Sequence, residues 1–357
     1  MKAWRLQSAG GPFALEDVPV PKTRPGAVLV RMQAAPVLSY MGDVVAGRLS
    51  ATYRFPGRPF TPGTNGVGTV TDVGAEVYHV KPGQRVVLNP HFVANEVTGD
   101  PAQMLIGLTA ISPDSGPLQA DWPDGAFAEY ALMPASVLTP LNADIALPPE
   151  RLAIFGKFAV PFGGLTEIGL SAGETLIVNG ASGYFGSAAV LLGIAMGAAR
   201  VIAAGRDAGR LAEVVAAAGS RAVAVALGGD PAKDIAALRE ASGGGAHAAI
   251  DLVGRATDAS ATLAALRALR RGGRLALMGS MTAPLTLAYG EVMVNDWTIR
   301  GRFMYPRDAI ARLMAMAMSG VLNVSAVNIG LHALADLPAA MQAAAKMRGL
   351  DAVVLKM

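Results

Sequence analysis

The chain has 357 residues, of which 52% are hydrophobic and 16% charged, with a formal net charge of +3. That length and apolar content suit two domains with full cores and exclude long disorder. No Lys/Arg block of the kind that grips nucleic acid is present, and there is no cysteine, which excludes disulfides, thiolate nucleophiles and thiolate-held metals.

The four histidines, His79, His91, His247 and His332, show no helical metal-ligand spacing. The start, Met1-Lys2-Ala3-Trp4-Arg5-Leu6, lacks an apolar signal-peptide core, and the apolar run at 188–199 is too short to span a bilayer. These features predict a cytoplasmic protein with no nucleic-acid or membrane partner.

Residues 1–150 hold short strand-like runs between Pro/Gly turns. Val28–Met32 alternates partly, Gly66–Val73 reads as a strand, and the turn Lys81-Pro82-Gly83-Gln84 leads into the strand Arg85–Leu88. This pattern predicts an antiparallel, barrel-like lobe. Segment 91–124, punctuated by Pro101, Pro113, Pro117 and Pro123, reads as a long surface excursion with room for one short helix.

From about residue 155 the pattern changes. Strands at 175–179, 200–204, 222–225, 247–251, 274–278 and 297–300 alternate with Ala/Leu-rich helices, which predicts a doubly wound parallel sheet of the α/β class. Asp308–Ser319 and Asp336–Met347 read as helices returning to the first lobe, and Ala352–Leu355 as a closing strand.

The first βα unit carries the strongest signal. Thr175–Asn179 runs into Gly180-Ala181-Ser182-Gly183-Tyr184-Phe185-Gly186 and then an apolar helix. Gly180 and Gly183 permit a sharp turn that lies close to a ligand, and Gly186 permits close packing of helix on strand. Free N–H groups at the helix start then face a pyrophosphate. Ser182, Tyr184 and Phe185 lie in the same turn.

The end of the second strand selects the nucleotide. A site for unphosphorylated ribose places an acid there. This chain has Gly205 and Arg206 instead, with Arg210 four residues on and Asp207 beyond the expected position. A guanidinium fork suits a 2′-phosphate, so the reading is NADP(H).

Six segments together resemble the medium-chain dehydrogenase/reductase superfamily over nearly the whole chain. They are Thr61–Gly74, Val80–Val86, Gly125–Tyr130, the glycine turn, Asp251–Gly254 and Gly272–Gly279. The resemblance implies a barrel-like (GroES-like), mostly antiparallel catalytic domain of residues 1–154 and 302–357. It encloses a Rossmann domain of residues 155–301. Val253 and Gly279 join the implied cofactor contacts.

Zinc-dependent members of that superfamily carry a Cys in the first catalytic loop, a Gly-His-Glu triplet and a later Cys or Asp. The matching positions here are Leu38, Gly63-Thr64-Asn65 and Gly156 or Lys157, so both the catalytic and the structural zinc sites are expected to be absent. The resemblance then assigns the substrate oxygen to hydrogen-bond donors: Tyr40, where relatives carry a Ser/Thr hydroxyl, with Thr64, Asn65, Lys157 and, from the loop after Leu88, His91. Each has a structural alternative as a wall, turn or surface residue. Phe92, Trp122, Phe162 and Met293 are candidate apolar walls.

Zinc-free relatives mostly reduce quinones or enones, and the expectation here is NADPH-dependent hydride transfer to such a small apolar acceptor. Aldehyde or ketone reduction, alcohol oxidation and a non-catalytic nucleotide sensor are the alternatives. The run Arg274–Leu287, uncharged after its first residue, predicts a homodimer or dimer-based tetramer through a sheet edge around Met278–Leu287.

Overall fold

The apolar run in the first lobe becomes a long strand, Ala27–Pro36, buried at almost every position except Arg31. In this computed structural model, which describes residues 1–254 and 256–357, it pairs antiparallel with Gly66–Val73, Tyr130–Pro134 and Asp351–Lys356. Register shifts at Leu29/Val30 and Met32/Ala34 bend it. The sheet runs Leu138–Pro140, Arg85–Leu88, Gly66–Val73, Ala27–Pro36, Asp351–Lys356, Asn328–Ala333, with Tyr130–Pro134 as a branch. The core beside it contains Phe60, Phe127, Met41 and Val67.

Two units divide the chain. One is Met1–Gly156 with Ile329–Met347 and Ala352–Met357; the other is Lys157–Asn328 with Arg348–Asp351. Both chain ends therefore contribute to the barrel unit, but residues 302–328 stay with the nucleotide-type unit rather than returning at 302. The helix Ala309–Met318 buries Ile310, Leu313 and Met314. The Arg312 guanidinium lies 4.7 Å from the centre of the Phe162 ring, so this helix is fastened inside the second unit.

Segment 91–124 is not a loose excursion. His91–Val93, Gln103–Leu105 and Thr109–Ala110 form a small antiparallel sheet, followed by the helix Gly116–Asp121. Met104, Ile106 and Leu108 are buried, Ser115 Oγ donates to the Gln103 carbonyl, and Gln119 Nε2 donates to the Arg54 carbonyl. Strands of two or three residues are too short to show a period of two in sequence.

The second unit is a six-stranded, all-parallel sheet. Its order is Ala222–Ala226, Arg200–Gly205, Thr175–Asn179, Ala246–Asp251, Leu269–Leu277, Thr298–Gly301. Counted along the chain this is 3-2-1-4-5-6, the doubly wound order whose reversal point lies beside the first strand. Leu176, Ile177 and Val178 are fully buried, as expected for a central strand covered on both faces.

The expected sheet edge at Met278–Leu287 is a correction. That run leaves the sheet, and Thr298–Gly301 is the terminal strand. Beside it the helix Tyr289–Val294 exposes Tyr289, Met293 and Val294. Among the described residues no helix is long and apolar enough to cross a membrane.

Candidate active site

In the second unit the glycine turn sits at the carboxyl end of the first strand. Gly180 has φ +83°. A Cβ on Gly186 would lie 2.0 Å from the Gly180 carbonyl oxygen, so the helix start folds directly onto the turn. That contact is with the turn itself, rather than with the strand as the sequence suggested. Gly183 is extended and occupies the N-cap, with no side chain capping the helix Tyr184–Ala195. Its first-turn N–H groups are thus the ones an anion would satisfy.

Val253 and Gly279 close on the same strand ends: a Cβ on Gly279 would lie 2.2 Å from the Val253 carbonyl oxygen, and one on Gly180 would lie 3.3 Å from Val253 N. Asp251 below them accepts from Asn179 Nδ2 at 2.6 Å and Thr262 Oγ1 at 3.1 Å. Burial pushes its carboxyl up to about 6, against the pull of those donors.

Gly205 approaches Ser182, whose Oγ would lie 3.0 Å from a Cβ there. Arg206 is exposed and makes no hydrogen bond or ion pair with the described residues. Arg210 differs: its backbone N–H donates to Asp207 Oδ1, and its Nε lies 3.1 Å from Asp207 Oδ2. Asp207 is therefore a helix cap and the partner of Arg210, which leaves Arg206 as the available guanidinium.

In the barrel unit the loop Thr61–Gly66 is buried throughout. Irregular backbone survives there because its polar groups are paired: Gly63 N with Gly107 O, Gly125 N with Thr61 O, Phe127 N with Pro62 O. Asn65 Nδ2 donates to the Leu88 carbonyl at 3.2 Å. Thr64 Oγ1 is buried without a hydrogen-bond partner.

Gly156 faces Asn65: a Cβ there would lie 2.7 Å from Asn65 Cγ. Lys157, one residue further along the helix Phe155–Glu167, belongs to the other unit. Its Nζ donates to the carbonyls of Tyr184 (2.5 Å) and Gly349 (2.8 Å). Burial pushes its ammonium well below the usual lysine range, and Asp351 opposes that shift. Successive helical side chains diverge by about 100°, so the position beside Asn65 belongs to Gly156, and Lys157 is spent elsewhere.

Tyr40 precedes the short helix Met41–Val45. Its phenol is hydrogen-bonded to Tyr53, with ring centroids 6.2 Å apart. Burial pushes the Tyr53 phenol up, and the Tyr40 bond opposes it. Tyr53 has no sequence signal, since 51–60 contains no regular element. His91 Nε2 lies 2.9 Å from Gln103 Oε1 across the small sheet.

The wall candidates scatter. Phe92 and Trp122 pack on each other at 6.2 Å, Phe162 is core of the second unit, and Met293 is 58% exposed.

Family models for an alcohol dehydrogenase GroES-like domain and a zinc-binding dehydrogenase match residues 24–143 and 185–319. An alcohol dehydrogenase of Moraxella sp. (strain TAE123) is 30% identical over 340 residues, 94% of each chain. This chain belongs to the medium-chain dehydrogenase/reductase superfamily, and it is an oxidoreductase.

Two solved structures share the fold. Alcohol dehydrogenase TADH from Thermus sp. ATN1 has a TM-score of 0.81 at 24% identity, covering 100% of this chain and 99% of that one. A putative zinc-binding dehydrogenase from Sinorhizobium meliloti 1021 bound to NADP has a TM-score of 0.79 at 21% identity, covering 100% and 99%.

The residues here do not fit the zinc that the second family model names. Leu38 and Gly156 offer no donor atom, Thr64 and Asn65 are neutral, and the Asn65 amide is bonded to Leu88. Among the described residues no group of three His, Cys, Asp or Glu side chains is placed to hold a metal ion.

The orphan hydroxyl of Thr64 gives a test. A buried, unpaired donor costs about 1–3 kcal/mol. Thr64→Val should therefore leave stability unchanged or raise it by up to about 1 kcal/mol in thermal or urea unfolding, while turnover falls. A clear loss of stability would show that the hydroxyl has a structural partner.

Proposed function

We propose that this chain is an NADP(H)-dependent, zinc-independent oxidoreductase that transfers hydride to an apolar enone or quinone. The observation that carries the reading is the loop at 61–66. It holds an unpartnered Thr64 hydroxyl where zinc-dependent relatives hold a ligand, and it has no Cys, His, Asp or Glu side chain of the kind that binds zinc.

The nicotinamide supplies the hydride. The chain's own task is to bind, orient and lend hydrogen bonds. In an enone, hydride addition at the β-carbon moves charge onto the carbonyl oxygen. Neutral donors aimed at that oxygen lower the barrier because the charge is already spread over the conjugated system. Thr64 Oγ1 is the donor proposed for that oxygen, joined by the Tyr40 phenol when its single proton turns from Tyr53 to the substrate, and a proton from water completes the saturated product. Asn65 braces the loop through Leu88, and His91 orients Gln103.

The glycine turn and the first N–H groups of Tyr184–Ala195 bind the pyrophosphate. Ser182, Gly183, Phe185, Val253 and Gly279 line the same seat. Arg206 receives the 2′-phosphate, supported by its exposure and by its making no hydrogen bond or close ion pair with the described residues, Asp258 acting on it only at longer range. A second reading, alcohol–ketone interconversion, is favoured by the Moraxella relative.

NADPH consumption by exhaustively chelated protein, with matched enone, quinone and saturated ketone, tests the reaction. Turnover should persist on the enone or quinone, and Tyr40→Phe should lower kcat by about tenfold to a thousandfold. Loss of all turnover on chelation, restored by zinc, would overturn the metal-free reading. A preference for the saturated ketone would favour the second reading.

Arg206→Ala should weaken NADPH by about tenfold or more, the equivalent of one charge-assisted contact, and leave NADH nearly unchanged. Equal affinity of the unaltered protein for both cofactors would contradict the assignment.

A homodimer or dimer-based tetramer through the terminal strand Thr298–Gly301 and the exposed Tyr289, Met293 and Val294 is the assembly proposed. Light scattering should return a multiple of the chain mass, and a clean monomer at micromolar concentration would refute it.

A further inference from the structure

Lys157 is 1% exposed and has no carboxylate within ion-pair distance among the described residues. Its ammonium instead donates to three backbone carbonyls: Tyr184 at 2.5 Å, Gly349 at 2.8 Å and Asp351 at 3.4 Å. It also lies 3.8 Å from the centre of the Tyr184 ring. Three carbonyl acceptors around one nitrogen match the three donors of an ammonium, and the Asp351 carboxylate acts on it only from beyond ion-pair distance, so enclosing this charge calls for a compensating role.

The surrounding bonds all lead to the glycine turn. Gly349 N donates to the Ser182 carbonyl at 2.9 Å. Ser187 Oγ donates to the carbonyls of Gly349 at 2.5 Å and Tyr184 at 3.1 Å. Segment 348–351 is thus clipped onto residues 182–187, with Lys157 at the centre of the clip.

We propose that Lys157 is a positioning residue for the pyrophosphate seat, acting on the anion through the backbone of the glycine turn. This rests on the nucleotide site proposed above. The Tyr184 carbonyl belongs to the same peptide unit as the Phe185 N–H, and Phe185 is the second residue of the helix. An ammonium on that carbonyl polarises the peptide and strengthens the N–H offered to the anion. The same charge, held in a water-poor interior, favours a dianionic ligand at the helix start. Gly349 and Ser187 fix the geometry, and Lys157 supplies the charge.

The test separates this role from that of a passive strut. Lys157→Met removes charge and donors; Lys157→Gln keeps hydrogen-bond donors, removes the charge and is the variant read if the first does not fold. Two ligands are titrated by calorimetry or fluorescence: the reduced cofactor that the unaltered protein binds more tightly, and the matching adenosine fragment with no phosphate at the pyrophosphate position, 2′-AMP for NADPH or adenosine for NADH.

The expected result is a rise of about tenfold or more in cofactor Kd, with less than about a twofold change for the fragment. KM for the cofactor should rise while kcat at saturation changes little. Equal weakening of both ligands, or unchanged cofactor affinity in a folded variant, would overturn the role. If the unaltered protein bound neither cofactor, the nucleotide site itself would fail, which is a different outcome.

Discussion

The close approach of Gly186 to the carbonyl of Gly180 is the constraint on which the second unit depends. It lets an apolar helix begin directly at the end of a central strand. The helix Tyr184–Ala195 is buried from Gly186 through Gly193, so it cannot be displaced toward solvent without exposing most of its surface. With the helix fixed, its uncapped N–H groups, the exposed Arg206 and the strand ends at Val253 and Gly279 fall around one turn. Any side chain at 186 would push the helix off the turn and open that arrangement.

Charge placement in this unit follows a division of labour among three cations. Arg210 is paired with the cap residue Asp207, Arg206 lies at the surface, and Lys157 is enclosed by three carbonyls and the Tyr184 ring, with the Asp351 carboxylate further off. The last two are the ones the proposals above assign to the nucleotide, one from outside and one through the peptide backbone. Their difference is one of solvent: an exposed guanidinium is screened and selective by contact, whereas an enclosed ammonium acts through polarised hydrogen bonds.

The barrel unit solves another problem, how to bury an irregular loop. Residues 61–66 are held by backbone bonds to Gly107 and residues 125–127, and Asn65 is held by Leu88. The Thr64 hydroxyl is left over. In the same unit the Tyr40–Tyr53 pair supplies a second polar group among aromatic side chains, continued by Phe55 and Phe60. Such groups are retained against their desolvation cost only where something else gains from them.

The sequence by itself determined the parallel sheet, the glycine turn and the unsuitability of Leu38, Thr64 and Asn65 as zinc ligands, and it offered Arg206 as a candidate beside the turn. Each depends on short-range periodicity or on residue chemistry at one position, and the family motifs lie in single runs of chain. Only the tertiary structure decided the rest. Lys157 looked like a donor beside Asn65, but the helical turn between 156 and 157 sends it to carbonyls, one of them 192 residues away. Tyr53 became a partner of Tyr40 through folding of a segment without periodicity. Residues 302–328 stayed with the second unit, where Arg312 lies over the Phe162 ring and the backbone of Met304 and Tyr305 lies against Gly163. These outcomes hinge on which distant groups meet, and local pattern carries no record of that.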